Sequence, residues 1–84
     1  MAVDVEVSES ARATIEDLAK TDRRAAEKLA EALLPLRKSP HPRGSRLLGE
    51  PPPEDRIWKV AGWEILYTVE ADGARVAIGL IRHR

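Results

Sequence analysis

Cysteine is absent from this 84-residue chain, which excludes disulfides and thiolate metal sites and is compatible with a reducing, cytoplasmic location. Phenylalanine is absent as well, leaving Trp58, Trp63 and Tyr67 as the whole aromatic complement. No apolar run approaches the roughly 20 residues needed to cross a bilayer, so no membrane span is expected. The opening residues MAVDVEVSES have neither the basic segment nor the apolar stretch of a secretory leader, and none is expected there. Glycine-rich phosphate loops, nucleophile elbows, zinc spacings and dinucleotide fingerprints are missing too, so no cofactor is expected. His41 stands between two prolines without a paired ligand, and no metal site is expected around it.

Net charge is also lacking. Fourteen Lys and Arg balance fourteen Asp and Glu, which argues against strong non-specific attraction to a polyanion. The charges are nevertheless uneven: residues 1–34 carry eight acids and five bases, residues 35–84 six acids and nine bases, so the halves are −3 and +3. Four bases and no acid lie between Arg37 and Gly49, and Arg75, Arg82 and Arg84 follow Asp72 with no further acid. Apolar residues at 43 % and charged residues at 33 % suit an ordinary globular protein. The length suffices for one modest core, hence a single domain over residues 1–84.

Val3, Val5 and Val7 alternate with Asp4 and Glu6, the period-two pattern of a strand with one buried face. Ser8 and Ser10 can each accept a bond from the free amides that open a helix. Ala11, Ile15, Leu18 and Ala19 then fall on one face of a helix over roughly 9–20. Thr21 or Asp22 offers a second N-cap, followed by the stripe Ala26, Leu29, Ala30, Leu33 and Leu36. Pro35 has no amide to donate and clashes with the preceding turn, so this second helix is expected to end or kink near Leu34. Residues 38–55 hold five of the six prolines and read as an extended surface connection, pinned to the core by Leu47 and Leu48. Strands are expected over Arg56–Ala61, Trp63–Glu70 and Arg75–Arg82, turning at Gly62 and at Ala71-Asp72-Gly73. The sum is an α+β fold, β-α-α-β-β-β, with the helix hairpin on one face of a mostly antiparallel four-stranded sheet and basic side chains free to project from the other.

V-x-V-S-E-S-A ending at Ala11, S-R-L-L-G at 45–49, G-W-E-I-L-Y at 62–67 and the I-R-H-R of residues 81–84 occur in the order and spacing of the RelE/ParE toxin superfamily, which nearly the whole chain resembles. The resemblance implies a toxin of a bacterial type II toxin–antitoxin pair, held silent by a cognate antitoxin. RelE-type members cut mRNA on the ribosome, and such a ribosome-dependent endoribonuclease is the first expectation here; the alternatives are a ParE-type inhibitor of DNA gyrase or a catalytically inactive homologue that still binds an antitoxin. Cleavage of the first kind needs a group to take the 2′-hydroxyl proton, cations to stabilise the phosphorane and a donor to the leaving oxygen. On the resemblance, Arg84 takes the place of the family's strand-end arginine, with His83 beside it and Lys59 on the strand that carries basic residues in active members. These three are the catalytic candidates. Arg46, Arg56, Arg82 and Arg43 are the RNA-binding candidates, arginine being suited to phosphate by its planar, permanently charged fork.

Two departures qualify the RNA-cutting expectation. Trp63-Glu64 stands where the family has tyrosine followed by arginine, so an acid occupies an expected phosphate contact. Active members also carry a tyrosine or similar group beyond the position of Arg84. Glu64 could itself serve as a general base, and Trp58 and Trp63 could stack on bases, although strand alternation favours core positions for them. Tyr67 shares a strand face with Trp63 and Ile65 and is expected to be structural.

Overall fold

The computed structural model describes residues 2–84. Strand β1 (Asp4–Val7) leads into α1 (Glu9–Thr21) and α2 (Arg23–Ala32), and a 3-10 turn over Leu34–Arg37 follows. Then come β2 (Ser45–Leu48), β3 (Glu54–Val60), β4 (Trp63–Glu70) and β5 (Arg75–His83). All five strands form one sheet in the order β1-β5-β4-β3-β2, antiparallel except for the parallel pair β1/β5.

The local signals act as their chemistry requires. Ser8 caps α1, accepting from the Ala11 amide at 3.1 Å, and Asp22 caps α2, accepting from the Ala25 amide at 3.1 Å. Pro35 sits at the start of the 3-10 turn, where its missing amide costs no helical bond, and regular helix has stopped at Ala32. One face of the sheet is covered by the helix hairpin. Between the two layers lie Ala11, Leu29 and Leu36 from the helical side and Trp58, Ile65, Tyr67, Val76, Ile78 and Ile81 from the strands.

Two expectations need correction. The sheet has five strands, not four, because Ser45–Leu48 within the proline-rich connection pairs antiparallel with β3 from Asp55 to Trp58. Leu47 and Leu48 do not pin this segment to the core: they are exposed, on an edge strand with no neighbour beyond it. What attaches β2 is its ladder to β3 and the Arg56 guanidinium, which donates to the Ser45 carbonyl at 3.3 Å and to the Ser45 hydroxyl at 3.1 Å. A four-residue strand flanked by glycine and proline carries too little pattern to be told from a loop.

Strand β5 contains the feature that sets both faces. Tyr67 lies opposite Ile78 and Leu66 opposite Leu80, so Gly79 is an extra residue in the β4/β5 ladder. This bulge lets Ile78 and Ile81 both point at the helices while Leu80 and Arg82 point away. The β3/β4 hairpin closes through Ala61 and Gly62, both at positive φ (54° and 84°), the mirror-image turn that matches strand twist.

Leu34 and Leu36 occupy the same short turn with opposite surroundings, half-exposed and fully buried respectively. Leu36→Ala is expected to cost about 2–5 kcal/mol in urea unfolding, and Leu34→Ala no more than about 0.5 kcal/mol. Equal losses would contradict this placement of the 3-10 turn.

Candidate functional site

The face of the sheet turned away from the helices is built from alternate residues of every strand, because directly paired residues share a face. Across it run parallel rows. Lys59, Glu64 and Arg82 form one, on neighbouring strands β3, β4 and β5. Arg46, Ile57, Leu66 and Leu80 form the next, and Leu48, Asp55, Thr68, Ala77 and Glu6 the one after. The middle row is an apolar stripe with a cation at its β2 end, open at Leu80, which is 36 % exposed, partly covered at Leu66 and closed at Ile57, which is 9 % exposed.

Glu64 sits between Lys59 and Arg82 and is bound by Arg82 through two nitrogens, Nε at 3.0 Å and Nη2 at 2.8 Å. That hydrogen bond holds the Glu64 carboxyl below its ordinary range, and the charges of Arg82, Lys59 and Arg84 act in the same direction against the opposing effect of desolvation. Arg84 lies one residue past β5, with its amide bonded to the Gly62 carbonyl at 3.0 Å.

The candidate residues therefore divide. Lys59, Arg82, Arg84 and Arg46 come together on the open face. His83 does not join them: it pairs with Trp63 on the helix-side face, ring edge to ring face with centroids 4.9 Å apart. Arg56 also lies on the helix-side face, opposite Tyr67, with its guanidinium engaged by Ser45 and by the Glu54 carboxylate at 3.2 Å. Arg43 is exposed in the loop before β2. Trp58 is buried in the core and Trp63 packs against it, so neither presents a free stacking face. Tyr67 is structural. Burial raises its phenol pKa, and its hydroxyl donates to the Pro40 carbonyl at 2.8 Å, tying the proline-rich loop to the sheet.

Two features escaped the sequence. The Ile57–Leu66–Leu80 stripe is hidden because its members come from three strands in different registers. The Glu64–Arg82 pair is hidden because the Gly79 bulge shifts the alignment of β5. The glycine inside an apolar strand was the one available signal.

A second cluster occupies the far end of the molecule. His41 Nε2 lies 2.6 Å from Glu54 Oε2, which also takes the Arg56 bond, beside a cleft of about 460 Å³ lined by Pro51, Pro52, Pro53, Val69 and Asp72 among others. Among the described residues, no group of three or more His, Cys, Asp or Glu is placed to hold a metal ion, and no helix is long and apolar enough to cross a membrane.

Compared with known families, the sequence matches "ParE toxin of type II toxin-antitoxin system, parDE" over residues 5–84. The chain belongs to the ParE toxin family. No individual curated protein matches it at a significant level. Its resemblance to the RelE/ParE superfamily is thereby borne out, and this ParE-family chain is the toxin of a type II toxin–antitoxin system, with a cognate antitoxin as partner.

The Glu64–Arg82 pair of the ParE-family chain gives it an acid-sensitive contribution to stability. Because the folded-state pKa of Glu64 lies below its ordinary value of 4.5, the contribution is complete above that value and is lost as pH falls through the lowered one. The stability difference between the parent and Glu64→Gln is expected to be constant from neutral pH down to about 5 and to shrink below 4.5, in urea titrations at stepped pH. A difference independent of pH down to about 3 would show that Glu64 is not the titrating group.

Proposed function

We propose that this toxin acts by binding a protein target, DNA gyrase, with its open sheet face, and that it does not cut RNA. The observation that carries the reading is the ion pair of Arg82 with Glu64 in the middle of the basic row, a hydrogen bond from Nε and a close contact from Nη2 to the same carboxylate oxygen. With Nε and Nη2 turned to the carboxylate, Arg82 keeps only the outer edge of its guanidinium for a phosphate, and the adjacent Glu64 charge opposes that phosphate. Proton transfer fares no better: His83 lies on the opposite face from Lys59 and Arg82, and Glu64, on the open face, is ion-paired to Arg82 and made a weaker base by it. The apolar stripe beside the basic row suits a protein surface, whose interface centres are depleted in charge, better than a polyanion.

Ribosome-dependent mRNA cleavage is the competing reading. Lys59, Arg46 and Arg84 on one face favour it, as a partial phosphate-binding set. Either target leaves the other side of the molecule for the antitoxin. The mostly apolar cleft there, of about 140 Å³, lies between Val5, Ile15, Ala30, Leu33, Leu34 and Ile78 with Arg37 as its one charged wall, and we assign it to an amphipathic helix of that partner.

Two assays run side by side test the proposal: gyrase supercoiling with purified enzyme, and primer extension on ribosome-bound mRNA. The toxin is expected to inhibit supercoiling and leave the mRNA intact, and Leu80→Glu is expected to weaken inhibition by at least about 10-fold without unfolding the protein. Cuts in the A-site codon with unimpaired supercoiling would overturn the binding reading. In that case Glu64→Arg is expected to raise cleavage.

A further inference from the structure

The charges of the open face are segregated along the strands. On one side of the Ile57–Leu66–Leu80 stripe lie Lys59, Arg82 and Arg84 against the single acid Glu64. On the other side lie Asp55, Glu6, Glu70 and Asp4 against the single base Arg75, which pairs weakly with Asp4 at 3.9 Å and Glu6 at 3.8 Å. Such a surface is complementary to itself. A two-fold axis laid along the stripe, in the plane of contact, turns the basic side of one copy onto the acidic side of another.

We infer that two copies of this chain pair face to face through their open sheets, with the apolar stripes in contact and the basic row of each over the acidic rows of its mate. The operation keeps each strand over its own counterpart, so Leu80 and the partly exposed Leu66 meet their equivalents, with the buried Ile57 beneath the β3 end of the contact. Lys59 of one copy comes opposite Asp55 of the other, both being on β3 and two residues either side of Ile57. Arg82 and Arg84 face the side of the partner that carries Glu6. Arg46 falls at the exposed outer end of the stripe, where its long side chain reaches water beside its own equivalent. Packing of two antiparallel sheets with their strands within about 30° of each other is an ordinary arrangement.

The size of the face sets the strength. Five strands of four to nine residues, about 4.8 Å apart, offer roughly 500 Å² per copy, near 1,000 Å² in total. That is the lower limit for a specific interface, so the dimer is a weak, concentration-dependent one. Its consequence does not depend on which target the toxin has: the face proposed for target binding is covered in the dimer and offered only by the monomer.

Sedimentation velocity over a concentration series tests this. The parent is expected to shift from 9.3 kDa towards twice that mass by about 0.5 mM. Lys59→Glu alone and Asp55→Lys alone each set like charges opposite one another twice per dimer, and each is expected to weaken association by at least about 10-fold. Mixing these two variants, or combining both substitutions in one chain, restores opposite charges at both contacts and is expected to restore the dimer. Circular dichroism of every variant checks that the fold is intact. A parent that stays at 9.3 kDa throughout would overturn the inference. So would a dimer indifferent to both single reversals, which points to pairing at the free β2 edge, or reversals whose effects fail to cancel.

Discussion

Ile78 and Ile81 are both buried although they stand three residues apart, which a regular strand cannot arrange because its side chains alternate. The extra residue at Gly79 resolves the conflict and thereby decides the character of both faces of the sheet. Upstream of it, Val76 and Ile78 face the helices opposite Val69 and Tyr67; downstream, Ile81 does so opposite Ile65, and Leu80 and Arg82 are turned outward. The same residue anchors the helical layer. Its carbonyl accepts from the Ser8 hydroxyl at 2.8 Å, while that hydroxyl caps α1, so the start of the hairpin is fixed to the bulge itself.

From that register follows the chemistry of the open face. Arg82 reaches Glu64 because the bulge has placed it directly opposite, and His83 packs on Trp63 because it has the other parity. In a strand without the bulge, Arg82 and His83 would exchange faces. The basic residues of this toxin therefore do not form one constellation. Arg56 serves the attachment of β2, Arg82 is held by a carboxylate, and Lys59, Arg46 and Arg84 remain as cations at the margin of an apolar stripe.

Much of this was legible beforehand. The alternation of Val3, Val5 and Val7, the caps at Ser8 and Asp22, the break at Pro35 and the turn at Gly62 are short-range effects in which one or a few side chains determine the local backbone. The edge strand Ser45–Leu48 was not legible, since its pairing with β3 depends on residues outside it. The candidate set grouped Arg56 and His83 with Lys59 and Arg82, yet alternation along β3 and β5 puts the members of each pair on opposite faces. Which member faces outward depends on cross-strand register and the Gly79 bulge.

Strand β5 follows every other element in the chain, yet it lies inside the sheet between β1 and β4, and the Ser8–Gly79 bond joins residues 71 apart. During synthesis β1 and the helix hairpin leave the ribosome first with no sheet to cover. The β2–β3–β4 meander comes next, and no strand pairing joins it to β1 until β5 arrives between them. Long-range pairing of this kind is slow to form, and the waiting halves expose valine- and leucine-rich surfaces meanwhile. A nascent toxin is therefore without its finished face until β5 has emerged.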